Sequence, residues 1–279
     1  MELPTDKIIC GDCEEVLKKL PPKSIDLILT SPPYSDKRNH TYGGIHPDKY
    51  IEWFLPKADE LYRVLKDSGT FVLNIKEGAF DGERHTYVIQ LILELKKRGW
   101  CWTEEFIWHK RNSYPGKWPN RFRDAWERCI QFNKQKKFKM NQEEVMMPMG
   151  KWAETRFRNL SENDKKRMES KVNSGFGRRV ANWTGREKAY PTNVLHLATE
   201  SSNKNHSATF PVSLPTWFIR LFSDEGDVIL DPFIGSGTTA VAAKILNRIY
   251  IGIDTDLEYC KLARKRVKAI ESLTQIKRG

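Results

Sequence analysis

Short apolar runs alternate with longer amphipathic stretches through the first hundred residues. Lys7-Ile8-Ile9-Cys10 and Ile25-Asp26-Leu27-Ile28-Leu29-Thr30 predict short buried strands. Between them, Cys13 to Leu20 predicts a short helix stopped by Pro21-Pro22. From about Asp48 to Leu65 the apolar residues Trp53, Phe54, Ala58, Leu61, Tyr62 and Leu65 share one helical face. Gly69 is expected to end that element, and Thr70-Phe71-Val72-Leu73-Asn74-Ile75 is rich in strand formers. Tyr87 to Arg98 makes a second amphipathic helix, closed by Gly99. Strands separated by helices of this length predict an α/β fold with a mostly parallel sheet.

The alternation is lost between about residues 110 and 200, where the chain is basic, rich in Asn, Gly and Pro, and includes the polar stretch Ser161 to Lys171. It returns at Val228-Ile229-Leu230, followed by a glycine-rich turn, a helix from Thr238 to Leu246 and a strand from Arg248 to Ile253. A basic helix from Leu257 to about Thr274 comes last. The expected organisation is therefore one sheet built from two halves, residues 1–109 and 201–279, with residues 110–200 as an inserted region.

With 279 residues, 39% of them apolar, the chain has enough material for a large core. No apolar stretch approaches the roughly 20 residues of a membrane span, and the N-terminus does not read as a signal peptide. The expected compartment is the cytoplasm, with no membrane partner. Five scattered cysteines include a Cys10-x-x-Cys13 pair, but no second pair follows at zinc spacing, so no metal site is expected.

Charge changes the picture more than composition does. The net charge of +11 is concentrated in the middle: residues 110–140 carry ten Lys/Arg against Asp124 and Glu127, and residues 151–190 carry eleven against five acids. Trp118, Phe122, Trp126, Phe132, Phe138, Trp152, Phe157, Phe176 and Trp183 interleave with them. One basic run is ordinarily a solvated face. Two runs carrying aromatic rings point to a partner with a phosphate backbone and bases that can be stacked.

Two motifs carry chemistry. The run Ile25–Thr30 stops at Ser31-Pro32-Pro33-Tyr34. Consecutive prolines stiffen the strand end and remove two N–H donors, so a hydroxyl, fixed carbonyls and an aromatic ring could together hold a flat ring bearing an amine. A merely proline-stiffened loop is the plainer alternative. The second motif is Asp231-Pro232-Phe233-Ile234-Gly235-Ser236-Gly237-Thr238-Thr239-Ala240, between a strand and a helix. Its G-x-G-x-x-A pattern, with Asp254 nineteen residues after Gly235 at the end of the next strand, fits a nucleotide-type cofactor loop with a ribose-binding acid. A carboxylate at Asp231 would repel a pyrophosphate. It would suit a ligand with an ammonium group and a second positive charge, which favours S-adenosylmethionine over NAD. Only 25 residues follow Asp254, so the remaining strands of a cofactor-binding sheet must come from the N-terminal third. Ligands in open α/β sheets sit at the carboxyl ends of strands, which brings Ser31–Tyr34 near the cofactor loop.

With both motifs in this order, the chain resembles the DNA amino-methyltransferases of the permuted β group. Gly11-Asp12, the stretch Trp118 to Ala125, and Asn205 to Pro211 also look like family segments. The resemblance implies an S-adenosylmethionine-dependent, Rossmann-like methyltransferase sheet of circularly permuted motif order. The inserted basic region would be its target-recognition part. In the family, Ser at the first position of the tetrapeptide accompanies N4-cytosine methylation and Asp accompanies N6-adenine methylation. The resemblance further implies that Asp231, Phe233, Gly235, Gly237 and Thr238 line the cofactor, that Asp254 takes the ribose, that Asp12 lies beside the adenine, and that Thr209 and Phe210 lie near the methionine tail. Double-stranded DNA is the implied partner, with Arg111, Lys117, Arg121, Arg123, Arg178 and Arg179 as contacts from the basic segments. A cognate restriction endonuclease acting on the same site, in a prokaryotic or phage cell, is a partner the resemblance allows.

On this reading Ser31 Oγ and the Pro32 carbonyl accept from the target amine, Pro33 stiffens the turn, and Tyr34 stacks on a base flipped out of the duplex. Serine is too weak a base to take the amine proton before attack. Asn74 can orient groups but cannot act as a base. Three alternatives stay open: an N6-adenine methyltransferase of the same fold, a nicotinamide-dependent oxidoreductase, and a non-catalytic DNA-binding module.

Overall fold

The computed structural model describes residues 2–35, 44–113, 116, 119–161, 163, 185–199 and 210–276. The first third contributes β1 (Lys7–Cys10), α1 (Cys13–Leu17), β2 (Ile25–Thr30), α2 (Tyr50–Val64), β3 (Leu65–Ile75), the short β4 (Ala79–Phe80) and β5 (Glu83–Arg84), α3 (Tyr87–Lys97) and β6 (Cys101–Lys110). The middle contributes β7 (Trp126–Asn133), β8 (Met147–Pro148), α4 (Lys151–Arg158), β9 (Lys188–Ala189) and β10 (Val194–Leu197). Last come α5 (Ser213–Phe222), β11 (Val228–Asp231), α6 (Thr238–Ile245), β12 (Ile249–Asp254) and α7 (Leu257–Ile276).

Eight strands form one sheet in the order β1-β12-β11-β2-β3-β7-β6-β10. Only β7 runs antiparallel to its neighbours; every other pairing is parallel. One edge of the sheet therefore gathers the carboxyl ends of seven strands and the amino end of β7. This is the α/β fold with a mostly parallel sheet that the alternation predicts. Helices cover both faces. Phe54, Ala58 and Leu61 of α2 and Leu91 and Leu95 of α3 pack with Ile28, Phe71, Leu73, Ile130 and Phe132. On the opposite face, Phe106 of β6 meets Trp217 and Phe218 of α5. Burial of these side chains is the main favourable term in folding the unit.

Two expectations need correction. Gly69 does not end a helix, since α2 stops at Val64 and β3 runs through the glycine. The β2–β3 register shifts at this point, and a Cβ on Gly69 would lie 2.8 Å from the Asp26 carbonyl oxygen. Gly69 is thus a bulge glycine that permits close backbone approach. The second correction concerns residues 110–200, which do not form a single insertion. β7 lies inside the sheet and β10 at its edge, and the separate compact unit is Gln142–Thr192. β7 is hidden in sequence because its polar residues are matched inside the fold. Arg128 meets Glu105 at 2.6 Å, Gln131 bonds Asn133 at 2.8 Å, and Asn133 bonds Thr70 at 2.9 Å.

The unit Gln142–Thr192 contains α4 and the antiparallel pair β8–β9, closed by a bond from the Met149 N–H to the Glu187 carbonyl at 2.8 Å. Among the described residues, no helix is long and apolar enough to cross a membrane.

Candidate active site

The glycine-rich loop leaves the carboxyl end of β11. Asp231, the last residue of that strand, is 2% exposed. Its Oδ1 accepts from Thr30 Oγ1 at 2.6 Å and from the Phe233 N–H at 3.1 Å, and its Oδ2 accepts from Thr239 Oγ1 at 2.6 Å. Burial pushes the carboxyl up to about 6, against the pull of the Thr239, Thr30 and Phe233 hydrogen bonds. Asp231 therefore ties together the end of β2, its own loop and the first turn of α6. The expectation that it faces a ligand ammonium is modified: both oxygens are turned onto the protein's own donors.

The loop is held from β12 as well. The Gly235 N–H donates to Asp254 Oδ2 and the Asp256 N–H to Oδ1, both at 2.9 Å. Burial raises the Asp254 carboxyl, while these backbone bonds lower it. Gly237 has φ +88°, and a Cβ there would lie 2.7 Å from the Cβ of Ala263 on α7. Gly235 also has a left-handed φ of +49°, but a Cβ there would meet nothing within 4 Å. The first glycine thus opens onto free space beside the loop backbone, and the second allows a close helix contact. Thr238 is buried, and its Oγ1 accepts from Arg266 at 3.2 Å. Phe233 is half-buried, with its ring 5.7 Å from that of Trp53.

Asp12 follows β1, whose Cys10 is in register with Asp254. Its side chain is an N-cap, with Oδ1 accepting from the N–H groups of Glu14 and Glu15 at 2.9 and 3.2 Å. Phe210 is half-buried ahead of α5. Thr209 lies outside the described residues.

Ser31-Pro32-Pro33-Tyr34 leaves the end of β2, the strand next to β11. Tyr50 Oη on α2 donates to the Pro33 carbonyl at 2.9 Å and fixes the turn. Tyr34 Oη donates to Glu127 Oε2 at 2.6 Å, accepts from Ser31 Oγ at 3.5 Å and lies 3.4 Å from Asn74 Oδ1. Asn74 is oriented by its Nδ2, which donates to the Arg128 carbonyl at 3.1 Å. The second Glu127 oxygen pairs with Lys110 Nζ. Burial first, and then the neighbouring Glu127 charge, hold the Tyr34 phenol well above its ordinary range. Beside this cluster, Lys76 donates to the Trp126 carbonyl at 2.7 Å and pairs with Asp124 at 3.1 Å.

Glu127 and Lys110 join the hydrogen-bond network of the tetrapeptide, although the sequence singles out neither. The one available signal is an acid inside an apolar strand, and it is ambiguous without knowing which strand pairs with β3. Of the residues expected to contact DNA, Arg111 and Arg123 are exposed and Arg121 is half-buried. Between Arg121 and Arg123, Phe122 is 95% exposed. Lys117, Arg178 and Arg179 lie outside the described residues. Among the described residues, no group of three or more His, Cys, Asp and Glu could hold a metal ion.

Known proteins resemble this chain in sequence and fold. The orphan methyltransferase M.BamHII of Bacillus amyloliquefaciens is 31% identical over 265 residues, covering 92% of this chain and 90% of the relative. The type II methyltransferase M.PvuII of Proteus hauseri is 29% identical over 273 residues, covering 89% of this chain and 80% of the relative. The solved PvuII DNA methyltransferase (cytosine-N4-specific) superposes with a TM-score of 0.71 at 24% identity, over 95% of this chain and 86% of that one. A DNA modification methylase of Thermus thermophilus, complexed with S-adenosyl-L-methionine, gives 0.62 at 24% identity, over 94% and 92% of the two chains. Residues 25–265 match the family model for N6 and N4 DNA methylases, and with two strand-end motifs side by side on one sheet edge, the chain belongs to the DNA methylase family.

Proposed function

We propose that the protein transfers a methyl group from S-adenosylmethionine to the N4 amine of a cytosine flipped out of double-stranded DNA. The observation that carries this reading is the 2.6 Å bond from Thr30 Oγ1 to Asp231 Oδ1. It locks the strand end bearing Ser31 against the strand end bearing the glycine loop, so an amine held by one lies next to a ligand held by the other. Membership of the methylase family leaves no place for a nicotinamide-dependent oxidoreductase or a non-catalytic DNA-binding module.

The loop fits the cofactor: the space over Gly235 can take a ligand against backbone, and Asp254 holds the Gly235 N–H beside it. When bound, S-adenosylmethionine supplies an electrophilic sulfonium methyl. The chain's own residues do the rest. Ser31 Oγ and the Pro32 carbonyl accept the two N–H bonds of the amine and draw its nitrogen toward tetrahedral geometry. The lone pair is thereby freed from the ring, and positioning supplies much of the rate. The Tyr34 ring offers a face for the base. Extrusion costs a few kcal/mol of stacking, offset by these contacts. Arg111, Lys117, Arg121, Arg123, Arg178 and Arg179 are assigned to the DNA backbone, and, within residues 110–200, the separate unit Gln142–Thr192 to target recognition. M.PvuII is a type II methyltransferase and M.BamHII an orphan. A cognate endonuclease therefore fits the first kind of relative only.

The test is to incubate the purified protein with plasmid DNA and labelled S-adenosylmethionine and then analyse the nucleosides. N4-methylcytosine is expected. N6-methyladenine alone would overturn the choice of base, and no methylated base with any DNA would overturn the enzyme reading.

A further inference from the structure

Methylation of an amine leaves a cationic nitrogen with a proton to lose, and the tetrapeptide itself contains no base. We propose that Glu127 is the terminal proton acceptor, reached from the amine through the hydroxyls of Ser31 and Tyr34. This rests on the reading of Ser31–Tyr34 as the amine-binding site.

The direction of the hydrogen bonds decides where the proton can go. Glu127 pairs with Lys110, and an ionised carboxylate only accepts. Tyr34 must then donate to it, across 2.6 Å. The phenol oxygen keeps its lone pairs for the Ser31 hydroxyl, 3.5 Å away. Ser31 in turn keeps its own lone pairs for an incoming N–H. The Ser31–Tyr34 separation is long for two hydroxyls, and proton transfer along it requires the two to draw together as the amine binds. Every donor in the chain thus points away from the amine and toward the carboxylate.

The neighbouring groups are spoken for. Asn74 presents its amide oxygen to Tyr34, because its nitrogen is bonded to the Arg128 carbonyl, and an amide oxygen does not hold a proton near neutral pH. Asp124 is paired with Lys76 and Arg84. Asp231 is occupied by Thr30, Thr239 and the Phe233 N–H. Among the described residues of this cluster, Glu127 is the one basic oxygen joined to the motif.

The step balances. An N–H bond of the methylated, cationic amine breaks as an O–H bond forms on Ser31 Oγ. The original Ser31 proton passes to Tyr34, and the original Tyr34 proton passes to Glu127. The product becomes neutral, both hydroxyls are restored, and the carboxylate becomes a carboxylic acid beside Lys110. Glu127 touches no substrate atom; it is a positioning residue that acts through Tyr34.

The experiment compares steady-state methylation by wild type, Glu127→Gln, Tyr34→Phe and the double variant Tyr34→Phe/Glu127→Gln, with kcat and KM measured separately. Glutamine can still accept from Tyr34 but cannot take the proton. Each single variant should lower kcat about 100-fold or more with KM for S-adenosylmethionine unchanged, since general acid–base groups contribute on that scale. The double variant should be no slower than the slower single, because both changes break one chain. Wild-type kcat in Glu127→Gln, equal losses in kcat and cofactor KM, or additive losses in the double variant would each overturn the relay. Should Glu127→Gln fail to fold with Lys110 unpaired, Glu127→Gln/Lys110→Met removes both charges, and its recovery of wild-type kcat would overturn the proposal equally. A wild-type protein that methylates no DNA would instead overturn the reading of the site.

Discussion

Buried carboxylates stand at both ends of the site, and their partners differ in kind. In the glycine loop, Asp231 and Asp254 accept from hydroxyls and backbone N–H groups of the protein itself. Those bonds set the shape of the loop. At the end of β2, Glu127 holds Lys110 with one oxygen and Tyr34 with the other, and that second bond leads on to the half-buried Ser31. One carboxylate setting holds a loop; the other ends a chain of hydroxyls that, on the proposed reading, leads to the substrate amine. Substitutions in the loop should therefore appear in stability and cofactor affinity, and substitutions at the strand end in turnover.

The largest expected effect tests that division directly. Ser31→Ala removes the first acceptor for the amine but none of the bonds that shape the loop. It should lower kcat about 100-fold or more, on the scale seen when one preorganised transition-state contact is removed. Calorimetric titration with S-adenosylmethionine should return the wild-type affinity. Equal losses in turnover and affinity would group Ser31 with the loop and erase the distinction.

Asp231 gives the distinction a pH dependence. Its carboxyl titrates at about 6 in the folded chain against an ordinary value of 3.8. A raised folded value means that the group's favourable contribution is fully present below about pH 4 and is lost as the pH rises through about 6. Across that window the native state gives up about 3 kcal/mol from this group, at about 1.4 kcal/mol per unit. Asp231→Asn does not titrate. Urea unfolding near pH 4 and pH 7 should show the variant gaining on wild type by about 2–3 kcal/mol at the higher pH. No relative gain would mean that the three donors around Asp231 fully compensate its burial.

The two glycines of the loop separate shape from space. Gly237→Ala forces a side chain to φ +88° and within 2.7 Å of Ala263. Left-handed strain of about 1–2 kcal/mol and overpacking of about 1–3 kcal/mol should lower the thermal midpoint clearly. Gly235→Ala meets nothing within 4 Å, so only the strain of φ +49° acts on stability, about 1 kcal/mol. Its added methyl enters the space beside the loop, so affinity for S-adenosylmethionine should fall while the midpoint barely moves. Reversed results would place the cofactor elsewhere.

The glycine loop and the Ser31–Tyr34 turn are legible in the sequence because the chemistry proposed for them needs particular residues at strand ends. A left-handed turn asks for Gly235 and Gly237, and a stiff strand end asks for Pro32-Pro33. β7 was not legible, because Glu127, Arg128, Gln131 and Asn133 make a buried strand look like a polar loop. Their partners Lys110, Glu105 and Thr70 become visible only once β7 is known to run antiparallel between β3 and β6. Glu127 was missed for the same reason: its meeting with Tyr34 spans 93 residues and depends on that register. The direction in which Asp231 points was illegible too, since a motif fixes a residue's identity and not the donors that its oxygens find.

Asp12 lies between these cases and has the smallest expected effect. The resemblance places it beside the adenine of the cofactor, while its Oδ1 caps α1 through the N–H groups of Glu14 and Glu15. Asp12→Ala removes both roles, and the lost cap alone should cost about 1 kcal/mol. Asp12→Asn separates them, because asparagine caps a helix about as well as aspartate but carries no charge. If capping is the role, Asp12→Asn should unfold like wild type in urea and bind S-adenosylmethionine with wild-type affinity. Wild-type stability with weakened binding would instead put the carboxylate on the ligand, and the loop's pattern of self-satisfied acids would then stop at Asp254.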